Sequence, residues 1–224
     1  MEWIRGHQKV AVGLALGAFV VALLAMNCAP VFITIVALTV AIMLIETCRF
    51  VYRKYMERGS LTGLTWLLVA AMVALILFGG WGLVTSLTAP RGNLHTLIII
   101  LVVVATDTAA QIIGRRFGTP GTFFKSLSPN KTKVGAIAGG IAGVVVAAVG
   151  AMVWYVLDES IDWRVLAILV VSVPLSMAGD LLESALKRML GIKDFGHLLG
   201  RSTGGFMDRL DSWLPVFALG LVLL

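Results

Sequence analysis

The sequence predicts an all-α, polytopic integral membrane protein with about seven transmembrane helices and a polar, cytosol-facing site. Three observations lead there. Hydrophobic residues make up 59% of the 224 residues and charged residues only 13%, against about 25% charged in an ordinary soluble domain. Mean hydropathy is +0.97. The apolar residues fall in successive runs near the ~20 residues that a helix needs to cross a bilayer.

Taken in order, a short polar segment with Arg5, His7 and Lys9 precedes a first span at about 10–26. That run is long enough to cross and is followed at once by another, so a span is expected rather than a cleavable signal peptide. Asn27-Cys28-Ala29-Pro30 forms a turn, and a second span at about 31–47 ends in Glu46. A basic loop is expected at 48–61, then a third span at 62–83 broken near its end by Gly79-Gly80, and a turn at 84–95 around Pro90-Arg91-Gly92. The fourth span, about 96–113, carries Asp107. A basic loop follows at 114–133, then a Gly/Ala-rich fifth span at 134–157, a composition that permits close helix packing. An acidic turn leads to a sixth span at 163–178 containing Pro174, and the last apolar run, 214–224, is too short for a straight crossing. Residues 1–95 read as N-terminal membrane helices and 96–224 as a second membrane domain that carries the polar motifs described below.

Charge placement sets the expected orientation. Alternating seven spans puts 16 of the 18 Lys and Arg residues on one side, leaving Arg91 and Arg164 on the other. By the positive-inside tendency the rich side is cytosolic. The net charge of +6 and pI near 9.7 thus reflect topology and attraction for anionic lipid and nucleotide. The absence of a basic–aromatic platform argues against a nucleic-acid partner. Cys28 and Cys48 sit 20 residues apart near opposite ends of one span, about 30 Å at 1.5 Å per residue, too far for a disulfide.

The stretch from Gly179 to Asp211 is the polar exception, with five acidic and five basic residues. Asp180, Glu183, Ser184, Lys187 and Arg188 recur at helical spacing on one face, and Gly191 can end that helix. Lys193-Asp194 follows on a turn. Ser202, Thr203, Gly204 and Gly205 then precede a second helical start, with Asp208 and Asp211 at i, i+3. Carboxylates from two elements can share a divalent cation, Lys and Arg beside them can hold phosphates, and a Gly-rich turn offers N–H groups to an anion. Together they suit a metal–nucleotide phosphate site. Asp107, about 9 Å from the cytosolic end of its span, is the one acid expected well inside a span. Such residues face a bundle interior or a wet cavity. His7, His95 and His197 do not form a metal cluster by spacing, and no Walker-type loop or Ser/His/Asp triad is present.

These residues resemble a known signature. Ser184-Ala-Leu-Lys-Arg, Lys193-Asp194-Phe-Gly196 and Gly204-Gly205-Phe-Met-Asp208-Arg209-Leu-Asp211 are similar to that of the phosphatidate cytidylyltransferase (CDP-diacylglycerol synthase) family, and Gly179-Asp-Leu-Leu-Glu183 extends the match. Asp107 to Gly118 and Ser128-Pro-Asn-Lys131-Thr132-Lys-Val-Gly135 resemble the same family in the same order. Thr203 stands where the family has a His, 200–203 is one residue longer than the usual spacing, and Lys133-Val134 replaces a Trp-Glu pair. The resemblance covers roughly 105–224. It implies transfer of the cytidylyl group of CTP to phosphatidic acid, giving CDP-diacylglycerol and pyrophosphate in phospholipid biosynthesis.

On that reading Mg²⁺ is the expected cofactor, with room for a second monovalent or divalent cation. Asp194 and Asp208 are the expected ligands, with Asp211 second. Lys187, Arg188, Lys193 and Arg209 would hold phosphates, with Thr203, Gly204 and Gly205 in the substrate turn. Ser184 would bind a phosphate or a metal-bound water, and Asp107 and Lys131 would complete the site from the other half. The partners are CTP, phosphatidic acid and the bilayer, at the bacterial inner membrane. The oligomeric state stays open, a homodimer included. Competing readings are a CTP-dependent enzyme acting on an ether lipid or polyprenol, an ion-coupled transporter using Asp107 and Asp180, and an inactive homologue.

Overall fold

The computed structural model describes residues 28–89, 92–119, 128, 131–158, 163–192, 194–195 and 205–223, with Ala22 and Leu24. All regular secondary structure among these residues is helical. We number the helices α1 (Ala29–Arg58), α2 (Gly63–Thr88), α3 (Gly92–Phe117), α4 (Lys133–Asp158), α5 (Trp163–Leu190), α6 (Met207–Leu210) and α7 (Leu214–Leu223). Five of them, α1 to α5, are long and apolar enough to cross a membrane. The expected first span lies outside the described residues, apart from Ala22 and Leu24. The expected last span is the ten-residue α7. Residues 211–213 form a turn before it rather than extending it.

The helix ends follow from local chemistry. Pro30 opens α1 with its ready-made φ, and Gly59, at φ 73, closes it with its N–H on the Tyr55 carbonyl at 2.8 Å. The Thr62 side chain caps α2 by accepting from the Thr65 N–H at 3.2 Å. Gly191, at φ 65, ends α5, where the Ile192 N–H reaches back to the Lys187 carbonyl at 3.0 Å.

Three expectations about the spans are corrected. The basic segment after Glu46 is not a loop: α1 runs on to Arg58, because long cationic side chains are good helix formers once outside hydrocarbon. Gly79-Gly80 does not break α2, which continues to Thr88. A backbone in an apolar layer has no partner for a freed N–H, so the helix persists, and the small residues serve packing instead. A Cβ on Gly79 would sit 2.8 Å from the Leu214 carbonyl, and one on Gly82 would collide with the Phe217 carbonyl. Finally, the sixth span does not stop at 178. It continues as α5 through the polar stretch to Leu190.

The packing follows. Large apolar side chains such as Leu67, Trp81, Ile137 and Val156 point outward, as expected of a lipid-facing surface. One core cluster joins α3, α4, α5 and α7 around Ile99, Val102, Leu169 and Val216. The other joins α1, α2 and α5 to the C-terminal turn around Met43, Met72, Leu186, Phe195 and Met207. The basic ends of α1 and α5 meet at one end of the bundle, where the Arg58 guanidinium donates to the Met189 carbonyl at 3.2 Å.

Candidate active site

The C-terminal half of α5 carries the polar residues, and α3, the 131–132 segment and the α6–α7 turn converge on it. Successive acids at i, i+3 put Asp180 and Glu183 on one face of α5. Asp211 meets them because α5 has no side chain at Gly179: a Cβ there would strike the Asp211 carbonyl and lie 2.9 Å from the Pro215 ring. Asp180, Glu183 and Asp211 each direct a carboxylate oxygen into a group lying within 4.8 Å of one another. Glu183 is 1% exposed and Asp211 8%.

Two lysines offset part of this charge. Lys131 pairs with Asp180. Lys187, one turn along α5, bridges Glu183 at 2.5 Å and Asp208 at 3.0 Å. Asp107 on α3 hydrogen-bonds the Ser212 side chain, next to Asp211, and its charge is felt by Asp180 and Lys131. Five carboxylates therefore surround two lysines. Burial pushes the Asp211 carboxyl from 3.8 up to about 7, and the negative charges of Asp180 and Asp107 add to the shift while Lys187 opposes it.

The donor set fits a hard divalent cation. Its atoms are carboxylate oxygens from two segments, the ligand type that Mg²⁺ favours, and Glu183 Oε1 is buried without a hydrogen-bond partner. A buried orphan acceptor in an anionic group is costly unless something positive completes it.

Asp208 does different work. Its carboxylate accepts from the Phe195 N–H at 2.9 Å, the Gly205 N–H at 2.8 Å and the Lys187 ammonium at 3.0 Å. It thereby ties α5, through Lys187, to the backbone at Phe195 and at Gly205. Of the expected ligands Asp194, Asp208 and Asp211, only Asp211 belongs to the three-carboxylate group among the described residues. Asp194 is half-buried beside the fully buried Phe195. Ser184 is half-buried on α5, and Arg188 and Arg209 are exposed at the rim. Gly205 is buried. Lys193, Thr203 and Gly204 lie outside the described residues.

Residues 69–224 match the model of the cytidylyltransferase family. The chain belongs to that family. Among its relatives are phosphatidate cytidylyltransferases of Staphylococcus saprophyticus and Staphylococcus haemolyticus, each 37% identical over 137 residues, and of Staphylococcus aureus, 34% identical over the same length. Each alignment covers 61% of this chain and 51% of the relative. The chain thus spans about half the length of the curated relatives it matches.

Sequence reasoning placed Asp180 and Glu183 on the polar face of α5 but assigned them no ligand role. The i, i+3 spacing was the available signal. Ser212 and Glu46 were missed as contacts of the site. Glu46 was visible only as an acid at the end of an apolar run.

Proposed function

We propose that this protein transfers the cytidylyl group of CTP to phosphatidic acid, releasing CDP-diacylglycerol and pyrophosphate, with the site open to the cytosol at the bacterial plasma membrane. The observation that carries this reading is the group of Asp180, Glu183 and Asp211 flanked by Lys131 and Lys187 at the basic end of a membrane-spanning bundle. The names of the staphylococcal relatives and the sidedness of the Lys and Arg residues support it.

One substrate is a lipid, so its phosphate is presented at the membrane surface. The other is a polyanionic nucleotide that arrives from water. A site at the end of a bundle, acidic at its centre and basic at its rim, serves both. Asp180, Glu183 and Asp211 would hold Mg²⁺, which supplies charge neutralisation at the triphosphate and orients its α-phosphate. Lys131 and Lys187 would exchange carboxylate contacts for phosphate oxygens, and Arg188 and Arg209 would hold phosphates at the rim. Asp208 keeps Lys187 and the loop backbone in place.

In the transfer, an oxygen of the phosphatidic acid phosphate attacks the α-phosphorus of CTP. The bond from that phosphorus to the oxygen shared with the β-phosphate breaks, and pyrophosphate leaves with the oxygen. The nucleophile is already anionic, so no general base is required, and catalysis consists of positioning and charge neutralisation.

The test is an assay of purified protein in lipid nanodiscs with phosphatidic acid, CTP labelled in the α-phosphate, and Mg²⁺. Labelled CDP-diacylglycerol with equimolar pyrophosphate is expected, abolished by EDTA and restored by Mg²⁺ or Mn²⁺. Turnover of a polyprenyl phosphate or ether-lipid acceptor in preference to phosphatidic acid would move the assignment to another lipid. Full turnover in chelator would remove the metal from the reading.

A further inference from the structure

Glu46 lies on α1, outside the residues 69–224 that define the family match. It is 8% exposed. Its carboxylate accepts two backbone hydrogen bonds from the opposite end of the chain, from the Phe206 N–H at 3.3 Å and the Met207 N–H at 3.1 Å. Gly205 packs directly against it, and a Cβ there would run into the carboxylate. One turn further along the same face of α1, Phe50 meets Phe195 edge to face, with centroids 6.0 Å apart. Phe195 and Met207 are both fully buried. α1 thus holds the chain at two points, Phe195 and Gly205–Met207, which include the backbone N–H groups of Phe195 and Gly205 from which Asp208 accepts. Asp211 follows within one turn.

We propose that Glu46 is a positioning residue for the cytidylyl transfer. With Phe50 packed on Phe195, its two hydrogen bonds fix the Gly205–Met207 turn on α1 and so set where Asp208 and Asp211 stand relative to α5. The physical reason is an accounting of buried donors. Phe206 is the N-cap and Met207 the first residue of a helix of only four residues, so their N–H groups have no intrahelical partner. A buried carboxylate with two acceptor atoms satisfies both at once and fixes the turn in two directions. Without it, the turn that carries Asp211 is free to shift, and the carboxylate group loses its geometry. The proposal rests on the activity proposed above for its kinetic readout only.

The variants are Glu46→Gln, which keeps one acceptor and turns an amide NH₂ towards the second N–H, and Glu46→Asp, which keeps both acceptors one methylene further away. Supporting groups behind metal ligands cost about 10- to 100-fold in affinity or activity when removed. We expect Glu46→Gln to lower kcat in that range and to raise the Mg²⁺ concentration for half-maximal rate, with KM for CTP changed less than kcat and partial recovery in Glu46→Asp. Hydrogen exchange at the Phe206 and Met207 amides should accelerate in Glu46→Gln. Gly205→Ala should cost activity in the wild-type background and cost less beside Glu46→Ala, where the clash is relieved.

A lowered melting temperature with unchanged kcat and Mg²⁺ requirement would make the contact scaffold only and overturn the proposal. Wild-type activity retained in Glu46→Gln overturns it equally. If wild-type protein forms no CDP-diacylglycerol, the activity reading fails, and the exchange arm decides the anchoring alone: unaltered exchange at 206–207 refutes it.

Discussion

Raising the pH of the metal-free protein from 6 to 8.5 is expected to cost on the order of 1 kcal/mol of stability through Asp211. Burial, the Asp180 charge and the Asp107 charge raise its carboxyl from 3.8 to about 7 in the folded protein. The folded state therefore holds that proton more tightly than the unfolded chain does. The contribution is fully present below the unfolded value and is lost as pH climbs through the folded one. At pH 6 the Asp211 carboxyl is mostly protonated, worth on the order of 1 kcal/mol relative to the ionised form. At pH 8.5 almost nothing remains. A bound divalent cation reverses the balance, because it requires the ionised carboxylates and stabilises the fold through linkage. The assay is thermal unfolding of detergent-solubilised protein at pH 6, 7, 8 and 8.5, with EDTA or with Mg²⁺. Melting temperature should fall with pH in EDTA, and Mg²⁺ should stabilise most at the alkaline end. Asp211→Asn should make the EDTA series shallower. A flat wild-type series in EDTA, or an Asp211→Asn series as steep as wild type, would refute the reasoning.

Asp180→Asn should lower cytidylyl transfer by about 10²-fold or more, as when one strong electrostatic stabiliser is removed, while circular dichroism stays helical. A near-normal rate would take Asp180 out of the site. Asp107→Asn should leave a folded, membrane-inserted protein with reduced activity and a smaller Mg²⁺-induced rise in melting temperature, because it removes a charge that acts on Asp211. A full Mg²⁺ response would confine Asp107 to holding Ser212. With Cys28 and Cys48 replaced by Ser, a cysteine at the exposed position Arg53 should react with an impermeant thiol reagent in inside-out vesicles only. Labelling in intact cells would overturn the cytosolic orientation.

The membrane class was legible because hydrocarbon imposes it on composition: few charges, long apolar runs and basic residues gathered at one side. The helix ends were less so. Arg49, Arg53, Lys54 and Arg58 look like a loop when apolar character marks a helix, yet α1 continues through them. Hydropathy records where the bilayer ends, and the helix need not end there. Gly79 and Gly80 misled for a related reason. Glycine weakens a helix in water, where the freed backbone can hydrogen-bond solvent, whereas in an apolar layer Gly79 provides the close approach that α7 uses and Gly80 the one that α1 uses.

The site divides in the same physical way. That the Gly179–Asp211 stretch forms a polar site follows from its composition in an apolar chain. Which acids come together does not. Asp208 and Asp211 are three residues apart, and either one suits a cation by type. Which of them joins Asp180 and Glu183 is decided by the backbone N–H groups of Phe195 and Gly205, which occupy Asp208, and by the bare surface of Gly179, which admits Asp211 to α5. Neither is a property of local sequence. Glu46 is the extreme case. Its two donors are 160 and 161 residues away, and by itself an acid near the end of an apolar run is ordinary. A carboxylate becomes informative here through the unpaired N–H groups it faces. The start of α6 needed two acceptors, and the chain supplied them from the helix that the family match leaves out.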